Sequence, residues 1–139
     1  RRSRKFYNEQ FGLIEAQLKN YFDNSAAKMT REQYLLMCEQ LGTEPIDSEI
    51  PADFSDFPPI VQQAIQIHSI LPGNWEGMSG TYMGKDYTLL PYLFEEIYEV
   101  ENKQLMMRFI LTIENIIREV YTQQQKARQR KAKTKSKSK

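Results

Sequence analysis

NKQLMMRFILTIENIIREVYTQQQKARQR, residues 102–130, carries apolar residues at Leu105, Phe109, Thr112 or Ile113, Ile116 and Val120. Steps of three and four place these side chains on one face of a helix, so the spacing predicts a long C-terminal α-helix. The stripe stops after Tyr121, where the segment turns rich in Gln, Lys and Arg.

The same periodicity recurs upstream. Residues 88–100 read as a fourth helix, with Pro91 tolerated in its first turn and a break at Glu101-Asn102. A third helix is expected after Asp56 as its cap, with Pro58 and Pro59 in the first turn and Ile60, Val61, Ala64, Ile65, His68 and Leu71 at helical spacing. Pro72-Gly73 ends it. Residues 29–42 form a second predicted helix. Thr30 and Gln33 make a capping-box pattern, Gly42 is a C-terminal stop, and Tyr34, Met37, Cys38 and Leu41 share one face. A first helix spans residues 4–23, where Tyr7, Phe11, Ile14, Leu18 and Tyr21 form a heptad-like seam. That seam suits a packed helix or a short contact with a second copy.

Two segments break the pattern. Residues 43–55 are acidic, contain Pro45 and Pro51, and read as an extended loop. NWEGMSGTYMGKDY, residues 74–87, carries three glycines, the sole tryptophan and two tyrosines, and reads as a compact loop anchored by Trp75 and Tyr82. No stretch alternates as a half-buried strand does. The expected fold is therefore all-α: about five helices in a small bundle, with a long C-terminal helix and a glycine-rich loop.

The 139 residues suit a single domain, and 40% hydrophobic and 12% aromatic content is too high for a disordered chain. No apolar run approaches the roughly 18 residues of a membrane span, and no apolar region follows the basic start as a signal peptide requires. A soluble protein with no membrane partner is expected.

The net charge of +1 conceals a strong segregation. Arg1, Arg2, Arg4 and Lys5 open the chain, and Lys126, Arg128, Arg130, Lys131, Lys133, Lys135, Lys137 and Lys139 close it. Residues 6–125 hold the remaining 7 basic residues against all 18 acidic ones. Three parts follow from this: a basic N-terminal arm and helix over 1–28, an acidic helical body over 29–125, and a basic tail over 126–139. The tail has little apolar area to tie it down and is expected to be mobile when free. Clustered Lys and Arg neutralise phosphates and release counterions, which binds nucleic acid without reading its sequence. The tail has no aromatic residue on which a base could stack, so specific single-strand recognition is not expected from it alone.

Catalytic material is scarce. Cys38 is the sole cysteine and His68 the sole histidine. Apolar neighbours suit a buried structural thiol and a histidine satisfied at a core edge, better than a nucleophile and its base. Gly84-Lys85-Asp86 hints at a phosphate loop, but Ser79 stands where the first glycine should be and Asp86 replaces the hydroxyl residue. Asp47, Glu49, Asp53 and Asp56 lack the spacing of a calcium loop, and Glu95, Glu96, Glu99 and Glu101 read as a solvated helix face. No catalytic residue, cofactor or metal site is expected. Trp75, Tyr82 and Tyr87 are of the types enriched at binding hot spots and are expected to meet a protein partner.

MTREQYLLMCEQLGTEP at 29–45, followed by IPADFSDFP at 50–58, resembles the opening of small accessory proteins encoded by tailed bacteriophages. MSGTYMGKDYTLLPYLFEEIYEV at 78–100 resembles a middle segment of the same proteins. The likeness covers about residues 29–130, leaves 6–28 as an added N-terminal helix, and carries over no functional residue. It implies a viral setting, in the virion or the host cytoplasm. The expected function is a non-enzymatic structural or assembly protein that docks on a larger protein, with basic ends meeting nucleic acid or acidic surfaces. The competing expectation is a regulatory adaptor on a host enzyme such as RNA polymerase.

Overall fold

The computed structural model describes residues 4–27 and 29–137, with side chains for residues 8–23, 29–47 and 49–137. The chain forms two compact units, Arg1–Gln62 and Gln63–Lys139. Among the described residues there are five α-helices: α1 (Arg4–Ala27), α2 (Arg31–Leu41), α3 (Pro59–Ile70), α4 (Leu90–Tyr92) and α5 (Lys103–Lys137). Two strands, β1 (Gly73–Trp75) and β2 (Tyr82–Lys85), pair antiparallel. The protein is mostly helical but not all-α. None of the described helices is long and apolar enough to cross a membrane.

In the first unit, α2 starts as its sequence predicts. Thr30 and Gln33 cap each other's backbone N–H groups, and Gly42 takes the left-handed conformation (φ 68°) that lets its N–H close onto Cys38 and Glu39. Leu18 of α1, Tyr34 and Cys38 of α2, and Phe57 are buried. Met37 and Leu41, expected on the buried face of α2, are instead exposed, as are Leu35 and Leu36.

The acidic loop is fastened rather than merely solvated. The Asn20 side chain accepts from the Ala52 N–H at 2.8 Å, and the Tyr34 hydroxyl donates to Glu49 at 3.3 Å while accepting from Ile46 N–H. Tyr21 meets Phe57 edge to face, ring centres 5.6 Å apart. Asp56 does not cap α3. The helix begins at Pro59, with the Pro58 carbonyl accepting from the Val61 and Gln62 N–H groups, while Asp56 closes a short turn with Asp53 and pairs with Arg31.

In the second unit α5 supplies the spine. Met106, Phe109, Ile110, Ile113 and Ile116 are buried along it, against a core that includes Ile67, Leu71, Leu90, Leu93 and Phe94. Asn102 caps α5, its side chain accepting from Leu105 N–H at 3.1 Å. The helix expected over 88–100 is only one turn of α4, which widens into a π-turn at Leu93–Ile97. Glu99 then adopts φ 47°, and Val100 N–H reaches back to the Phe94 carbonyl at 2.8 Å, which stops the helix.

The C-terminal helix runs further than the expected end at Arg130: α5 takes in most of the basic segment and continues without a break to Lys137. Residues 103–137 contain no glycine or proline, and Ala, Lys, Arg and Gln are strong helix formers, so nothing halts the helix where its apolar stripe ends. Cations at a helix C-terminus also favour the helix dipole.

Candidate nucleic-acid interface

The glycine-rich segment is a hairpin. Gly73 pairs with Lys85, Asn74 with Gly84 and Trp75 with Tyr82, with a bulge between Asn74 and Trp75. Its turn is tied by Glu76. The Glu76 N–H donates to the Thr81 carbonyl at 2.9 Å, and the Glu76 carboxylate accepts from the Met78 N–H at 3.2 Å and from Ser79. The Ser79 hydroxyl and N–H hold the Glu76 carboxyl below the ordinary carboxylate range. At the open end, Lys85 Nζ donates to the Leu71 carbonyl at 2.9 Å, occupying a carbonyl at the end of α3.

Beneath the hairpin lies a buried polar cluster centred on Glu114, which is 4% exposed although it sits on the apolar side of α5. His68 Nε2 lies 2.7 Å from Glu114 Oε2, and the Tyr82 hydroxyl donates to the same oxygen at 2.9 Å. Burial lowers the pKa of His68, opposed by Glu114, and the neighbouring Lys85 lowers it further. A neutral imidazole facing a carboxylate places its proton on Nε2, so His68 donates. Burial pushes the Tyr82 and Tyr87 phenols up, and the charge of Glu114 adds to both shifts. Arg118 Nη2 lies 3.6 Å from Glu114 Oε1 and gives partial compensation. Gly84 lets this happen: its φ is +101°, and a Cβ there would stand 2.6 Å from Arg118 Nη2.

Above this cluster the aromatic side chains converge. Trp75 meets Tyr82 and Tyr121 with ring centres 5.1 and 4.9 Å away, and Tyr82 meets Tyr121 at 4.9 Å. Gln125 of α5 donates to Thr81 Oγ1 at 2.9 Å and fastens the hairpin to the helix. An open groove of about 450 Å³ runs between them, floored by the three rings and walled by Gln124, Gln125, Arg128, Gln129 and Ala132.

Of the residues expected to meet a protein partner, Trp75 is 51% exposed, Tyr82 is buried and Tyr87 is half-buried. The Tyr82 hydroxyl is held by its bond to Glu114. Among the residues expected to meet nucleic acid, Arg1 and Arg2 lie outside the described residues, and Arg4 and Lys5 are described by their helical backbone alone. Lys126, Arg128, Arg130, Lys131, Lys133 and Lys135 are all exposed on α5.

Helix geometry sorts these cations into two sets. At about 100° per residue, Lys126, Arg130, Lys133 and Lys137 form one stripe, while Arg128, Lys131 and Lys135 lie on the side of Tyr121 and the groove. No acidic residue follows Glu119. No sequence motif marks Glu114; its one local signal is a carboxylate four residues after Ile110 on an apolar stripe, in a chain with one histidine to pair it. Among the described residues no group of three or more His, Cys, Asp or Glu is placed to hold a metal ion. No family model, curated protein or solved structure matches the chain.

Proposed function

We propose that this protein is a non-enzymatic binding protein whose α5 end holds a nucleic-acid backbone without reading its sequence. Its helical body, in this proposal, docks on a larger protein in a phage virion or its assembly. One observation carries the nucleic-acid part: Lys126, Arg130, Lys133 and Lys137 form a continuous stripe on exposed helix turns that bear no acidic residue. From Lys126 to Lys137 that stripe extends about 16 Å, enough to follow several phosphates. The exposed Leu35, Leu36, Met37 and Leu41 on α2, and separately Met78 at the hairpin tip, support a protein partner for the body. The assembly role rests on the resemblance to phage accessory proteins.

The test is a salt titration of duplex binding by the full chain. With four stripe contacts, affinity falls with log salt at a slope of about −3 to −4, and unrelated duplexes bind alike. Replacing Lys126, Arg130, Lys133 and Lys137 by Gln removes most of that slope and leaves the helical circular dichroism unchanged. Binding that ignores salt, or survives the fourfold replacement, refutes the proposal.

A further inference from the structure

We infer that the groove between the hairpin and α5 receives an unpaired base of a single nucleic-acid strand, with the adjoining phosphates on Arg128 and Lys131. The inference rests on the proposed nucleic-acid contact and extends it from the Lys126 stripe to the groove side of α5. The tail has no ring of its own, but the fold brings one to it: Trp75, 46 residues before Tyr121 in the chain, stands half-exposed against that tyrosine. Aromatic side chains with an open side stack bases of any identity.

The rest of the lining suits the same occupant. Gln124 and Gln129 line the groove with amides, which both donate and accept and so match the mixed edge of a base. Arg128 lines the groove itself, and Lys131 lies one turn on along the same side of α5. Neither nearby carboxylate lines the groove: Glu76 is tied into the hairpin turn by Ser79 and the Met78 N–H, and Glu114 is buried with Tyr82 and Arg118 beside it. A duplex keeps its bases stacked inside, so it can use the cations and not the rings. Charge and aromatic surface together therefore favour a single strand over a duplex or an apolar peptide.

Trp75 is the only tryptophan, so its fluorescence reports the groove directly. The full chain is titrated with a single strand of about ten thymidines, a duplex of equal length, and thymidine monophosphate. The single strand should quench Trp75; the duplex should bind without quenching, and the mononucleotide should bind far more weakly. Ala132→Leu, which fills the groove from an exposed position, and Gln129→Ala keep the charge unchanged. Each should weaken the single strand about 5- to 10-fold, measured by anisotropy of a labelled strand, and leave duplex affinity and melting temperature unaltered. Equal binding of strand and duplex with no quenching, or variants that leave the single strand untouched, overturns the inference while the backbone contact stands. A mononucleotide that matches the strand overturns it in favour of a free-nucleotide site. Failure of both strand and duplex to bind refutes the backbone contact itself, and the inference with it.

Discussion

Replacing Glu114 by Ala tests whether the buried cluster holds the hairpin to α5. The substitution removes the common acceptor of His68 Nε2–H and the Tyr82 hydroxyl, both buried. A buried donor left without an acceptor costs about 1–3 kcal/mol, so two orphaned donors amount to about 2–6 kcal/mol. Relief of the carboxylate's own desolvation offsets part of this, which leaves about 2–4 kcal/mol of net loss. For a small protein with a urea m-value of about 1.5 kcal/mol/M, the midpoint falls by about 1.3–2.7 M. Trp75 fluorescence is the natural probe, since its ring packs on Tyr82. Glu114→Gln keeps one acceptor and should lose less, and Tyr82→Phe should lose about 1 kcal/mol, the worth of one bond. A shift below about 0.3 M for Glu114→Ala would show that neither donor depends on this carboxylate.

Acid should weaken the second unit earlier than carboxylate titration alone would. Because the folded pKa of His68 lies below its ordinary 6.5, the unfolded chain takes the proton first; the stabilisation is complete above pH 6.5 and is lost as pH falls toward the folded value. Melting temperatures at pH 7.5, 6.5 and 5.5 should therefore decline, and His68→Gln should flatten that decline; a rise on acidification would contradict it. Gly84→Ala should destabilise by about 1–3 kcal/mol, because the positive φ is strained for alanine and Arg118 must leave Glu114 to admit the Cβ. Thermal melting checks this, and Arg118→Ala combined with Gly84→Ala should recover only the steric part.

Much of the helical plan was legible because it depends on near neighbours. The Thr30 and Gln33 cap, the Gly42 stop and the apolar stripe of α5 each involve residues within a few positions of one another. The failures have local causes too. β1 is exposed along its whole length, and β2 places a glycine where a large apolar residue would signal a strand, so no alternation was visible. Residues 88–100 have helical spacing, but the π-turn and the left-handed Glu99 end the helix after little more than two turns.

What the sequence determined by itself was most of the helices and the gathering of charge at the chain ends, since propensity, capping and charge count are properties of short segments. The tertiary structure decided what those segments meet. His68 and Glu114 are 46 residues apart, Tyr82 and Glu114 are 32, and Thr81 and Gln125 are 44. No local periodicity records such distances. A carboxylate on an apolar stripe looks misplaced until the fold supplies its donors, and a basic segment without rings lacks a stacking surface until the hairpin lays Trp75 against Tyr121. Burial and hydrogen bonding act between side chains that only packing brings together, so the groove belongs to the fold and not to any one stretch of the chain.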